Sequence, residues 1–116
     1  MSDMPTYQIG QIAEQAACTY LSSIGHVIIK RNWRTRWCEI DIVTRLHNTL
    51  CFVEVKYRRT SSFGAGIDYI TQKKLAQMAR SADTYVTIHK WAGSYRLLAV
   101  EVGGNNYQVL QVIEID

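Results

Sequence analysis

Acidic and basic side chains with the spacing of a metal site lie in two neighbouring apolar segments. The first is Cys38-Glu39-Ile40-Asp41-Ile42-Val43, and the second is Phe52-Val53-Glu54-Val55-Lys56. Both segments alternate with a period of two and are rich in Ile, Val and Phe, which predicts β-strands. Between them, His47-Asn48 is predicted to form a two-residue hairpin loop that pairs Leu46 with Thr49.

Counting outward from this loop places Asp41 opposite Glu54, and Glu39 opposite Lys56. Such partners share one face of the hairpin, with Cβ atoms about 4.5–5.5 Å apart. Two carboxylates in this position repel each other unless a positive charge lies between them. The pattern therefore predicts a metal-dependent active site in which Asp41 and Glu54 bind the ion and Glu39 completes the shell. The alternative is an exposed strand edge with a salt bridge from Glu39 to Lys56.

The predicted ligands are carboxylate oxygens, which suit a hard cation such as Mg²⁺ or Mn²⁺. Mg²⁺ usually takes one or two protein carboxylates and keeps several waters. Lys56, next to such an ion, could orient or help to deprotonate an attacking water and neutralise charge that develops on a phosphate. This set of residues could therefore assist the attack of a water on a phosphate.

The same alternation assigns the two faces of the hairpin. One face carries Val43 and Phe52 near the turn and the charged cluster at the far end. The opposite face is predicted to be core and consists of Cys38, Ile40, Ile42, Thr44, Cys51, Val53, Val55 and Tyr57.

The chain has 116 residues, the size of one domain, so residues 1–116 are expected to form a single domain. It has 47% hydrophobic and 20% charged residues, which is ordinary for a globular protein. No stretch approaches the ~20 apolar residues of a membrane span, and no signal-peptide pattern opens the chain. These features predict a cytoplasmic protein without membrane association, with its three cysteines reduced. The net charge of +3 is compatible with nucleic acid but does not decide the partner.

Hydrophobic periodicity and turn residues predict the element order α-β-β-β-α-β-β in one α/β layered structure. A loop over 59–70 contains Gly64 and Gly66, which would permit it to close over a substrate. The predicted elements are a helix over 7–24 followed by Gly25, strands over 26–33, 37–46 and 50–58, a helix N-capped by Thr71, and strands over 95–102 and 107–115.

At the charged hairpin the chain resembles the restriction-endonuclease-like superfamily, whose signature is an Asp followed by an acidic-x-Lys triplet on the adjacent strand. More narrowly, it resembles the uncharacterised bacterial YraN-like family over roughly residues 8–102. The matching residues are Gly10, Glu14, Ala17, Tyr20-Leu21, Gly25, Arg31-Asn32-Trp33-Arg34, Glu39-Ile40-Asp41, Phe52-Val53-Glu54-Val55-Lys56-Tyr57-Arg58, Phe63-Gly64, Thr71, Lys74, Ala82 and Tyr85-Val86.

The resemblance implies a mixed β-sheet flanked by helices and nuclease ancestry, although a fold does not fix an activity. It also implies that Glu14, otherwise read as an exposed helical glutamate, joins Asp41, Glu54 and Lys56 in the catalytic site.

Two departures from the family pattern put local details in doubt. Cys38 stands where the family usually has Gly, so the backbone or the approach of a ligand there is expected to differ. Arg96-Leu97-Leu98 replaces a segment that typically carries an acidic residue, which removes one polar contact.

Segment 30–37 interleaves cations with Trp33 and Trp37. Such a segment can bind phosphates while an indole stacks on a base. The alternative is that both indoles are core or edge aromatics and the arginines are solvated. The candidates for nucleic-acid contact are Arg31, Arg34, Arg36, Arg58 and Lys74.

Together these features predict a Mg²⁺- or Mn²⁺-dependent endonuclease that acts on nucleic acid, with DNA the expected substrate. One alternative is a non-catalytic nucleic-acid-binding module that retains the nuclease fold and binds in a salt-sensitive way without turnover. Another is an interaction protein whose exposed aromatics dock a protein partner, with binding lost on Trp37→Ala. No heptad pattern specifies an oligomer, but the edge strand of the predicted sheet could pair two copies into a homodimer.

Overall fold

The computed structural model describes residues 4–59 and 70–116. Segment 60–69, with Gly64 and Gly66, lies outside the described residues, and so does the loop predicted to close over a substrate. No helix within the described ranges is long and apolar enough to cross a membrane. The predicted element order is confirmed: α1 (Thr6–Ser23), β1 (Val27–Arg34), β2 (Glu39–Leu46), β3 (Thr49–Arg58), α2 (Gln72–Ile88), β4 (Ser94–Gly103) and β5 (Gln108–Glu114).

The strands form one five-stranded mixed sheet in the order β1-β2-β3-β4-β5. β3 and β4 are parallel, and the other neighbouring pairs are antiparallel. Parallel neighbours cannot be joined by a tight turn, and α2 provides the crossover between β3 and β4. This sheet with two helices is the predicted α/β fold class.

Helix α1 covers one face of the sheet. Its buried residues include Ala13, Ala17 and Leu21, which recur every four residues and therefore form one stripe along the helix. The stripe packs against Val53 of β3 in a common core cluster. The chain leaves the helix through Gly25, whose φ of +105° suits a residue without a Cβ, as the sequence predicted.

Helix α2 covers the opposite face. The Thr71 hydroxyl accepts a 3.0 Å hydrogen bond from the Lys74 amide, which confirms the predicted N-cap. Tyr85 of α2 packs against Phe52, with ring centroids 5.6 Å apart. Because Phe52 and its strand neighbour Val53 contact different helices, the sheet lies between α1 and α2.

The predicted β2–β3 hairpin register is confirmed. The paired residues run from Leu46↔Thr49 at the turn to Ile42↔Val53. His47 adopts a φ of +55°, as a two-residue hairpin loop requires. The register therefore brings the chain at Asp41 alongside Glu54, as expected.

The predicted core face was wrong at its outer end. Ile40 was expected to share a face with Ile42, but it packs with Phe52 in the cluster beneath α2, and partly buried Cys38 packs there too. Ile42 instead packs in the cluster beneath α1. The described β2–β3 ladder reaches Ile42, and beyond it the Asp41 side chain binds a β3 amide. The strand turns at this point, so strict alternation does not continue through it.

Candidate active site

Asp41 and Glu54 form the centre of the site. Asp41 lies where β2 leaves its ladder with β3, and its Oδ2 accepts a 2.8 Å hydrogen bond from the Val55 amide. The Asp41 and Glu54 side chains are also hydrogen-bonded to each other. The hairpin register and this amide together hold two carboxyl groups side by side.

The surroundings of the pair oppose its ionisation. Burial, followed by the charge of Glu54, raises the pKa of Asp41 to about 8, and the charge of Glu14 adds to the effect. Burial also raises the pKa of Glu54, which the nearby ammonium groups of Lys74 and Lys56 partly oppose. Near neutral pH the metal-free pair therefore tends to retain a proton.

Lys74 was predicted to contact nucleic acid, and in the structure its side chain lies beside the acidic pair. Its Nζ is 3.6 Å from Glu54 Oε1, and both side chains are largely buried. The Thr71 cap fixes the start of α2 and so sets the position of Lys74. A cation in the first turn of a helix opposes the helix dipole, and the contact with Glu54 offsets that effect.

Glu14 approaches the pair from α1. Its side chain is only 15% exposed. The Asn32 side-chain amide donates a 2.9 Å hydrogen bond to Glu14 Oε1. Arg31, predicted to contact nucleic acid, lies 3.8 Å from the same oxygen through Nη2 and donates through Nη1 to Gln15 Oε1 at 2.9 Å. The structure thus brings Glu14 within electrostatic range of Asp41 and couples Arg31 to α1.

Glu39 has a different environment from the other three acids. Its carboxylate is 3.6 Å from Arg34 Nη2 on β1, and the Arg34 side chain is 80% exposed. The sequence predicted that Glu39 lies opposite Lys56. In the structure, Lys56 is an exposed residue of β3. Glu14 is the second carboxylate, after Glu54, whose charge raises the pKa of Asp41, whereas Glu39 is paired with Arg34.

Arg58 is held by an acid that sequence reasoning missed. Its Nε is 2.6 Å from Glu101 Oε2, and the Glu101 side chain is only 2% exposed. Gln111 donates a 2.8 Å hydrogen bond to the second carboxylate oxygen of Glu101. The available signal was a single charge within the apolar run of β4, because a buried charge requires a partner.

The two tryptophans of segment 30–37 have different environments. Trp33 packs on Phe52 and Tyr85, with ring centroids 6.4 and 5.4 Å away. The core-aromatic alternative therefore applies to Trp33. Trp37 is half-buried, with the exposed Arg36 guanidinium 5.6 Å from its ring centroid. Only Trp37 retains the arrangement predicted for stacking on a base.

The acidic pair does not line the open cleft beside α1. An open cleft of about 610 Å³ lies between α1 and the β4–β5 turn, and its lining includes Gln15, Asn106 and Tyr107 but none of the site carboxylates. Within residues 4–59 and 70–116, no three His, Cys, Asp or Glu side chains form a group that could hold a metal ion by themselves. The donor set is therefore a carboxyl pair that would need waters to complete a coordination shell.

An aspartate and a Glu-x-Lys segment on adjacent strands of a five-stranded mixed sheet define the restriction-endonuclease-like class of protein. The chain belongs to the family described as "Uncharacterised protein family UPF0102", a member of that superfamily, whose model matches residues 13–116. The YraN-like resemblance is thereby confirmed.

Three bacterial relatives illustrate the extent of the similarity. The UPF0102 protein of Cytophaga hutchinsonii is 36% identical over 106 residues, covering 91% of this chain and 94% of the relative. That of Sulfurihydrogenibium sp. is 36% identical over 103 residues, covering 88% and 90%. That of Leifsonia xyli is 38% identical over 96 residues, covering 82% and 81%.

Proposed function

We propose that this protein is a metal-dependent endonuclease that hydrolyses phosphodiester bonds, with DNA as its substrate. The observation that carries the proposal is the contact between the half-buried carboxyl groups of Asp41 and Glu54, in which burial and the charge of Glu54 oppose the ionisation of Asp41. A divalent cation would remove this repulsion, and strongly perturbed carboxyl groups are concentrated at functional sites.

The residues of the site fit Mg²⁺ or Mn²⁺. Both prefer oxygen donors, and Mg²⁺ needs only one or two carboxylates because it retains waters. Asp41 and Glu54 would hold the ion, with Glu14 adding negative charge beside them. The small number of acidic side chains suits Mg²⁺ better than Zn²⁺, which takes a closed set of nitrogen and sulfur ligands in structural sites.

A bound ion would supply Lewis-acid chemistry, polarising a phosphoryl oxygen and lowering the pKa of an attacking water. Lys56 follows Glu54 by two residues on β3, so the two side chains leave the strand on the same face. Its ammonium group can donate hydrogen bonds to phosphate oxygens as their charge increases. Lys74, already beside Glu54, would supply a second positive charge to the same phosphate.

Cations on two flanks of the carboxyl pair would hold the DNA backbone. Arg34 and Arg36, on and after the end of β1, are exposed on one side. Arg58 and Lys74 are on the other side, each paired with an acid. Contacts of this kind depend on counterion release, so binding should weaken steeply as salt increases.

Cleavage by Asp41→Asn and Glu54→Gln variants tests the proposal. Supercoiled, branched and single-stranded DNA would be incubated with Mg²⁺ or Mn²⁺, and both variants should lose at least about 100-fold in rate. Glu114→Gln is the matched control, because Glu114 is a surface acid paired with Arg96 at 3.2 Å. A Glu54→Gln protein that cleaves as fast as the wild type would eliminate the assignment.

A second candidate is a non-catalytic nucleic-acid-binding module. It is favoured by one observation: the described residues do not include three potential ligands grouped for a metal. It predicts salt-sensitive DNA binding, equal in wild-type and Glu54→Gln proteins, with no metal-dependent cleavage of any substrate.

A further inference from the structure

Asn32 interrupts the regular geometry of β1. Its φ is +51°, within the left-handed region, although it lies inside a strand that pairs with β2 on both sides of it. Asn tolerates this conformation better than most residues, but it remains an unusual state for the interior of a strand. An outlier of this kind is a reason to ask what the local geometry achieves.

The interruption directs two consecutive side chains to the same helix. In a regular strand, neighbouring residues point to opposite faces of the sheet. Arg31 and Asn32 nevertheless both contact α1, through Gln15 and Glu14 respectively. The next residue, Trp33, packs into the core beneath α2. The left-handed turn at Asn32 is what permits this arrangement.

The contact made by Asn32 is with the Glu14 carboxylate at the edge of the acidic pair. Asn32 Nδ2 donates to Glu14 Oε1 at 2.9 Å, and Arg31 approaches the same oxygen at 3.8 Å. Among residues 4–59 and 70–116, no side-chain or backbone partner is found for Glu14 Oε2. One oxygen is thus restrained while the charge of the group acts on Asp41.

We propose that Asn32 is a positioning residue, whose side-chain amide holds the Glu14 carboxylate beside the Asp41–Glu54 pair for use in metal binding. This inference rests on the proposed function and adds a residue to it. Asn32 itself touches no reacting group. Its backbone conformation selects the direction of the side chain, and its amide restrains one oxygen of Glu14.

Asn32→Gly removes the side-chain amide but keeps the backbone conformation, because glycine adopts a positive φ readily. The full chain should fold with a Tm within about 2 °C of the wild type. Its affinity for Mn²⁺, followed by the EPR signal of free Mn²⁺, should fall by about 10-fold. Lys90→Gly is the matched control, because Lys90 also has a positive φ, of +52°, and lies in the turn that follows α2; the Mn²⁺ affinity of this variant should be unchanged.

The double variant Asn32→Gly/Glu14→Ala tests whether Asn32 acts through Glu14. If it does, the double variant binds Mn²⁺ as tightly as Glu14→Ala alone. Wild-type affinity in Asn32→Gly, or a double-variant loss equal to the product of the two single losses, would overturn the inference.

A second measurement separates failure of this inference from failure of the proposed function. NMR of the Asn32 side-chain amide, recorded on the metal-free protein, should show a clear shift on Glu14→Ala. If the wild type binds no Mn²⁺, the proposed function is contradicted, and the NMR shift alone then supports the positioning contact. An amide signal that does not respond to Glu14→Ala overturns it.

Discussion

Two acidic sites lie on the same sheet, the buried Glu101 and the half-buried pair of Asp41 and Glu54, and they differ in what surrounds them. Glu101 on β4 is contacted by the Arg58 guanidinium on one oxygen and by the Gln111 amide on the other. Asp41 and Glu54 face each other: burial and the charge of Glu54 raise the pKa of Asp41, and the ammonium groups near Glu54 offset only part of the effect of its own burial. One group is compensated within the protein, whereas the other is left with an unfavourable charge.

The difference indicates which group supports the fold and which supports a function. A compensated buried charge loses little by remaining in place, and its removal strands its partner. An uncompensated pair destabilises the protein that carries it, so its presence calls for an additional explanation, such as a bound cation. Removing an acid should therefore have opposite effects on stability in the two places.

Removal of the compensated acid should give the largest change. Glu101→Ala removes the anion that contacts the Arg58 guanidinium, which is only 29% exposed. The free energy of unfolding should fall by about 3–5 kcal/mol, measured by urea denaturation of the metal-free protein. A loss below about 1 kcal/mol would contradict the description of Glu101 as a charge-compensated acid that supports the fold.

The uncompensated pair should make stability fall as pH rises. Because the folded protein raises the pKa of Asp41 from its ordinary value to about 8, the native state binds more protons than the unfolded state between these limits. Raising the pH through that window therefore lowers the free energy of unfolding, by at most about 1.4 kcal/mol for each pH unit. The proton of Asp41 alone accounts for a decrease of at most about 3 kcal/mol from about pH 5 to about pH 7.

Asp41→Asn sharpens this test. The amide cannot ionise, so the variant should lose most of the decrease and be more stable than the wild type near the upper end of the window. Both curves would be measured by urea denaturation with a chelator present. A wild-type protein whose stability rises with pH over this range would contradict the electrostatic description of the pair.

The smallest effect is expected at a surface ion pair. Arg96 and Glu114 are 3.2 Å apart on neighbouring strands, but their side chains are 58% and 48% exposed. Solvent screens such pairs, so Glu114→Gln should change the free energy of unfolding by less than about 1 kcal/mol. A larger change would show that exposure alone does not explain how Glu101 and the Asp41–Glu54 pair differ from a surface acid.

Local sequence signals were sufficient for the elements and for the hairpin. Thr71 and Gly25 marked helix ends because each satisfies a specific backbone requirement there. The two-residue loop set the β2–β3 register, and that register brought Asp41 alongside Glu54. The sequence alone was therefore sufficient to predict the centre of the candidate site.

The remainder of the site depends on contacts between elements that are distant in the sequence. Ile40 was assigned to the wrong face because alternation assumes a regular strand, and β2 turns at Asp41. Lys74 beside Glu54, and Glu101 beside Arg58, each join two elements whose approach depends on the packed sheet. Spacing within one segment contains no information about such pairs.

The bond from the Val55 amide to Asp41 has an evolutionary consequence. Its donor belongs to the main chain, so every residue except proline can supply it at position 55. Substitutions there can follow the demands of core packing without altering the direction of the aspartate. The orientation of Asp41 is in this respect protected from mutation at the position that determines it, whereas that of Glu14, held by side chains, can be lost through one substitution.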